Sequence, residues 1–261
     1  MSGLRLVATL ALSGVAPALF AQSAPSDAAK AFGAREIAQS APFNAAKAFG
    51  SRESVTGISL SPDGQKVAYV APTSGQGAVG YVLSIAPGSV PKPFISVDAN
   101  PDRLGHCYWV ANDRLACQVF YLSGGDPSLG AVPHSRVIAV NADGSNLREL
   151  STREHFHTRG EQLGGGVIID LLPGEDSAVL MMRNYLPDDH IGSRLGSDKK
   201  GLGVDWINTR DLTVKHVETP RPEAIEYITD SRGAVRIFAN KVLQAGLDSS
   251  VVTYFYRTPG S

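Results

Sequence analysis

Four times along the chain a short hydrophobic run meets a tight polar turn and is answered by a second hydrophobic run. Gly57–Leu60 answers to Val67–Val70, Cys107–Val110 to Leu115–Val119, Ile168–Leu172 to Ala178–Met182, and Glu226–Ile228 to Val235–Phe238. The turns between them are Ser61-Pro62-Asp63-Gly64, Ala111-Asn112-Asp113-Arg114, Pro173-Gly174-Glu175-Asp176 and Asp230-Ser231-Arg232-Gly233. Pro fixes φ at the second turn position and Gly supplies the positive φ that lets strands reverse. From turn to turn the unit recurs every 50 to 62 residues, the mark of a repeat architecture.

Each hairpin is followed by a third strand-like run: Gly80–Ile85, Arg136–Val140, Val204–Asn208 and Val251–Arg257. A fourth follows in three units, at Pro93–Ser96, Leu147–Leu150 and Val214–Glu218. Turns such as Asn141-Ala142-Asp143-Gly144 join third to fourth runs with hairpin chemistry. Repeating units of four short antiparallel strands describe the blades of a β-propeller. The expected fold is therefore all-β, an incomplete β-propeller of about three and three-quarter four-stranded antiparallel blades, at about residues 55–97, 104–151, 166–218 and 224–261. The last unit stops in Thr258-Pro259-Gly260-Ser261, so its fourth strand is expected to be missing and the chain to be a fragment or truncated product. Val251, Tyr254 and Phe255 should then lie along an open, aggregation-prone edge.

The first residues read differently. Arg5 precedes an apolar stretch from Leu6 to Phe20, and Ala21-Gln22 offers a small residue at a cleavage point. Residues 1–21 are thus expected to be a signal peptide, making the mature protein exported and soluble, in a bacterial periplasm or secreted. No Cys follows that stretch, which excludes a lipid anchor there. Residues 22–54 form an Ala-rich linker in which Ser23–Glu36 recurs almost unchanged as Ser40–Glu53, a period of 17. A tandem duplication in a tolerant linker accounts for it. Hydrophobic residues at 43%, with 27 Gly and 16 Pro, fit a turn-rich globular β protein and argue against disorder. A formal net charge of -1 favours neither nucleic acid nor an anionic membrane, and no apolar run is long enough to span a bilayer.

Cys107 and Cys117 lie on facing runs of the second hairpin. Export permits a disulfide, but only near-opposite residues can form one. A turn of three or five residues would set them opposite, and one of two or four would leave them a step out. A bridge and two small buried thiols both remain open readings.

Ala48-Phe-Gly-Ser-Arg-Glu-Ser-Val55 runs into Ile58-Ser-Leu-Ser-Pro-Asp-Gly-Gln-Lys-Val-Ala-Tyr-Val70. Later come Cys107-Tyr-Trp-Val-Ala-Asn-Asp-Arg-Leu115 and Tyr254-Phe-Tyr-Arg-Thr-Pro-Gly260. Together these resemble the N-terminal propeller of bacterial exported serine peptidases of the prolyl oligopeptidase family, over about residues 48 to 261. The resemblance implies a propeller that gates peptide substrates for a C-terminal α/β-hydrolase domain, whose nucleophile stands in a Gly-x-Ser-x-Gly elbow. The nearest approach here, Gly57-Ile-Ser59-Leu-Ser61, lacks the second Gly and lies in a strand. Nor is there the pair of Glu residues by which dipeptidyl-peptidase relatives hold an amino terminus. No catalytic residue, cofactor or metal is therefore expected, and the chain alone should be inactive. The Ser-Pro-Asp-Gly hairpin also occurs in Tol-system propellers, so a protein-binding propeller is the competing reading, and an inactive remnant a third.

Other candidates are weaker. His155-Phe156-His157 could place two imidazoles on one face, but no third ligand is near. Gly164-Gly165-Gly166 precedes a strand, the wrong context for a dinucleotide-binding turn, and reads as a flexible approach to the third unit. The polar insert from Asn184 to Gly203 carries Asp188, Asp189, His190 and Arg194; it is either a solvated loop or a face turned to the partner domain. Trp109 and Trp206 read as core residues between sheets.

Overall fold

Runs such as Leu115-Ala116-Cys117 and Ala178-Val179-Leu180-Met181 show no polar alternation, and the computed structural model explains why. Strands of the middle sheets are covered on both faces, so both sets of alternating side chains are apolar. The structure describes residues 50, 52–124, 130–151, 158–189, 197–244 and 247–258. The chain divides into two units, Met1–Ser51 and Arg52–Ser261, and all the strands described below belong to the second.

Sheet 1 contains β1 (Thr56–Leu60), β2 (Lys66–Pro72), β3 (Ala78–Ser84) and β4 (Lys92–Val97). Sheet 2 contains β5 (Arg103–Ala111), β6 (Arg114–Ser123), β7 (Val132–Asn141) and β8 (Arg148–Glu149). Sheet 3 contains β9 (Val167–Asp170), β10 (Ala178–Tyr185), β11 (Gly201–Asn208) and β12 (Val214–Arg221). Sheet 4 contains β13 (Ala224–Thr229), β14 (Val235–Gln244) and β15 (Leu247–Tyr256). Every sheet is an antiparallel meander in chain order. The four expected hairpins are all present, and no helix occurs among the described residues. Sheet 4 has three strands, with β15 at its edge. Val251, Tyr254 and Phe255 are all exposed there.

The turns close as their residues dictate. Gly64 takes φ of 69°, its N–H donates to the Ser61 carbonyl at 2.8 Å, and the Ser61 hydroxyl donates to Asp63 Oδ1 at 2.6 Å. Gly144 does the same after Asn141, at φ of 86°.

Three apolar clusters join the sheets in series. The first combines Ala68, Val70 and Phe94 of sheet 1 with Leu104, Trp109, Leu115 and Val119 of sheet 2. The second combines Val110, Ala116, Val137 and Ala139 of sheet 2 with Val179, Met181 and Ile207 of sheet 3. The third combines Leu180 and Val204 of sheet 3 with Ala224, Tyr227 and Val235 of sheet 4. Neighbours such as Trp109 and Val110, or Leu180 and Met181, thus serve opposite interfaces.

Two expectations are corrected. Gly165 and Gly166 are not a flexible approach to sheet 3. A Cβ on Gly165 would lie 2.6 Å from the Arg136 Cα, and one on Gly166 would lie 2.8 Å from the Met182 carbonyl. They are glycines because two sheets close on them. Trp206 is only partly buried against the third cluster. Its Nε1 donates to Glu175 at 2.6 Å, and the Lys215 ammonium sits 4.3 Å from its ring centre. Trp109, by contrast, is buried, and its Nε1 donates to the Ser59 carbonyl at 3.2 Å.

Candidate functional site

The four hairpin turns that mark the repeat in the sequence converge on one cleft of about 910 Å³. Pro62, Asn112, Glu175 and Ser231 each bring one turn to its lining. Its body lies between β5 and β9, with Tyr108, Val110, Val137, Val167 and Ile168 around it. Tyr108 and Val167 are largely exposed, whereas Val110 and Val137 are buried. Consecutive residues Tyr108–Asn112 and Gly166–Asp176 line it without gaps. Side chains alternate between the faces of a strand, so these strands present their edges to the cleft. β5 and β9 are each the terminal strand of their sheet.

Polar contacts beside the cleft tie each turn to the next. Asn112 Oδ1 accepts from the Asp63 N–H at 3.0 Å, and its carbonyl accepts from Lys66 at 2.8 Å. Asp170 Oδ2 accepts from the Gly233 N–H at 2.9 Å, joining sheet 3 to sheet 4. Between sheets 2 and 3 the contacts are cationic. The Arg210 guanidinium reaches Asp113 at 2.6 Å and Asp176 at 3.4 Å. That hydrogen bond from Arg210 holds the Asp113 carboxyl below its ordinary value.

Arg114 is fully buried. It donates to the Thr209 hydroxyl at 2.9 Å, to Asn141 Oδ1 at 2.7 Å, to the Asn146 carbonyl at 3.1 Å, and to the Thr209 carbonyl. These acceptors are neutral, and burial lowers the guanidinium below its ordinary value. A guanidinium can only donate, so out of water it needs such a set of acceptors.

A second polar cluster sits on sheet 3. Asp205 is fully buried in the middle of β11. Its Oδ2 accepts from Arg183 at 3.0 Å and from the Tyr185 hydroxyl, and its Oδ1 accepts from His216 Nδ1 at 2.7 Å. Burial first, then the Asp205 carboxylate, pushes the Tyr185 phenol above its ordinary value. The visible signal in the sequence was one acid inside an otherwise apolar strand, Gly203-Val204-Asp205-Trp206-Ile207.

Cys107 and Cys117 are directly opposite in the β5–β6 register and are joined by a disulfide. The turn that joins the strands has only two residues, since Ala111 pairs with Arg114. An irregularity at Val110 then adds the extra step, so that Trp109 faces Leu115 and Cys107 faces Cys117. A bulge thus achieves the parity that an odd-length turn would have given.

In the polar insert, Asp188 exchanges backbone and side-chain hydrogen bonds with Ser197, at 2.8 and 2.9 Å. Asp189 pairs with Arg159 at 3.0 Å. His190 and Arg194 lie outside the described residues, as do His155, Phe156, His157, the expected signal peptide and most of the duplicated linker. Among the described residues no group of three His, Cys, Asp or Glu is placed to hold a metal ion, and no helix is long and apolar enough to cross a membrane.

One serine–histidine–acid grouping does occur. His134 Nε2 lies 3.0 Å from the Ser123 hydroxyl and 3.5 Å from Glu161 Oε1. Both partners use the same ring nitrogen. A nucleophile–base–acid relay needs the acid on the other nitrogen, so that the imidazole can accept the serine proton. His134 is buried and stacked on Tyr121 at 4.6 Å, which suits a structural role.

No protein-family pattern matches the sequence, and no curated protein is similar to it. Similar solved structures include an acylaminoacyl peptidase in complex with Z-Gly-Gly-Phe-chloromethyl ketone, at 11% identity and a TM-score of 0.40 over 73% of this chain. Another is a puromycin-hydrolysing peptidase of Mycobacterium tuberculosis, at 14% identity and a TM-score of 0.33 over 73% of this chain. The chain matches 28% and 34% of their lengths respectively.

Proposed function

We propose that this chain is the propeller part of an exported serine peptidase resembling the prolyl oligopeptidase family. In this reading its sheets are consecutive blades that screen peptides for an α/β-hydrolase domain, and they carry no chemistry themselves. The observation that supports it best is the serial stacking: four meanders in chain order, each joined face to face with the next. Their first turns gather at one cleft. This is how propeller blades surround an axis. The sequence resemblance, carried by Ala48–Val70 above all, supplies the link to peptidases. Amide cleavage would follow an acyl-enzyme route on the hydrolase domain.

Two measurements test this reading together. Sequencing the gene past codon 261 should find further hairpin repeats and a Gly-x-Ser-x-Gly elbow in frame. The purified 261-residue chain should leave aminoacyl and prolyl p-nitroanilides intact. A stop codon with no such domain downstream, or turnover that co-purifies with the folded chain, overturns it.

A further inference from the structure

The polar cluster on sheet 3 holds both ends of the insert between β10 and β11. Tyr185, the last residue of β10, donates to Asp205. Lys199, two residues before β11, lies 2.8 Å from His216 Nε2, and His216 Nδ1 lies 2.7 Å from Asp205 Oδ1. One buried carboxylate therefore secures the first end directly and the second end through an imidazole.

The chemistry of the partners fixes the state of that imidazole. Asp205 takes Arg183 and Tyr185 on its other oxygen and can only accept as a carboxylate, so His216 Nδ1 carries a proton. An ammonium can only donate, so the hydrogen bond with Lys199 requires Nε2 to be the acceptor. The ring is neutral while Lys199 is bound. If it gains a proton, Nε2 becomes a donor, Lys199 loses its acceptor, and two cations stand 2.8 Å apart.

We propose that His216 is a pH-operated clasp on the insert: closed on Lys199 when neutral, open when protonated, with the Tyr185 end held in both states. Among the described residues, the groups facing the ring are Asp205 from β11, Arg183 through Asp205 and Tyr185 from β10, and Lys199 from the insert. On its own strand Lys215 turns to Trp206 and Glu218 pairs with Arg257, so neither competes. His216 is half exposed, so protons reach it without unfolding. The clasp rests on sheet 3 alone and stands whether or not the peptidase reading holds.

Hydrogen exchange on the full chain tests it, with rates corrected for intrinsic pH dependence. Amides at Lys199 and Lys200 should lose protection about threefold or more between pH 8 and pH 5.5, while those of Arg183 and Asn184 in β10 keep theirs. The substitution His216→Gln retains an acceptor for Lys199 at both pH values, so it should abolish the difference. Lys199→Met should show the low protection at both. Equal protection of the wild-type chain at the two pH values, or an undiminished difference in His216→Gln, overturns the proposal.

Discussion

The interface between sheets 1 and 2 and the interface between sheets 2 and 3 are built on the same plan and end differently. The first is filled with large side chains: Phe94, Leu104, Trp109 and Leu115 meet there, backed by the Cys107–Cys117 disulfide. The second is filled with Val110, Ala116, Val137 and Ala139 against Val179, Met181 and Ile207. At one end of it lies the cleft, and beside the cleft Arg114 and Arg210 join the two sheets through polar contacts. Packing density is uniform in protein interiors only where volumes match. A repeat fold can therefore leave a cavity in one interface simply by placing small residues there, and must then tie the rim by other means.

The comparison can be broken most severely at the filled interface. Phe94→Ala should cost about 3–5 kcal/mol in urea unfolding, because Phe94 is buried and no smaller residue fills its place above Gly80. A loss below about 1 kcal/mol would mean that the first interface is no tighter than the second. At the second interface, Arg114→Ala should cost about 2–4 kcal/mol, by stranding the two buried acceptors of Thr209 at about 1–3 kcal/mol each before relaxation. Arg114→Met should cost less, since it fills the space. An Arg114→Met variant as stable as the wild type would show that Arg114 acts by volume and not as a tie.

The smallest effect belongs to the rim. Asp113 has its folded-state pKa lowered by Arg210, so its stabilisation is fully present above the unfolded carboxylate value near 4. It is lost as the pH falls from there through the lower folded value. The Asp113 side chain is 60% exposed, which keeps the contribution under about 1 kcal/mol. Asp113→Asn should remove that part of the acid dependence, read from unfolding curves between pH 5 and 3. An unchanged acid limb would discard the Arg210 clamp as a contributor to stability.

Local features of the fold were legible in the sequence because they are set by local chemistry. Ser61-Pro62-Asp63-Gly64 can hardly do anything but turn, and the flanking runs are too short and too β-branched for helices. What could not be read depends on contacts between units. Arg114 looks like an ordinary turn residue, and its polar partner is Thr209, far along the chain in the turn just after β11. Asp205 is an acid in an apolar strand that the sequence reading passed over, and its partners Arg183, Tyr185 and His216 lie on two other strands. The bulge at Val110 that aligns Cys107 with Cys117 leaves no composition signal. The tight approach of two sheets at Gly165 makes a rigid crossing look like a flexible tether. The cleft is the clearest case: its four turns are visible one by one, but their convergence is a property of the stacking.

The most direct test of that stacking is residue-resolved hydrogen exchange of the free chain near neutral pH. If the second interface opens at the cleft, the β9 amides that point away from β10 should exchange orders of magnitude faster than those of Val179–Met181 in β10. Protection of those edge amides equal to that of β10 would mean the edge is already covered and the cleft is closed in solution.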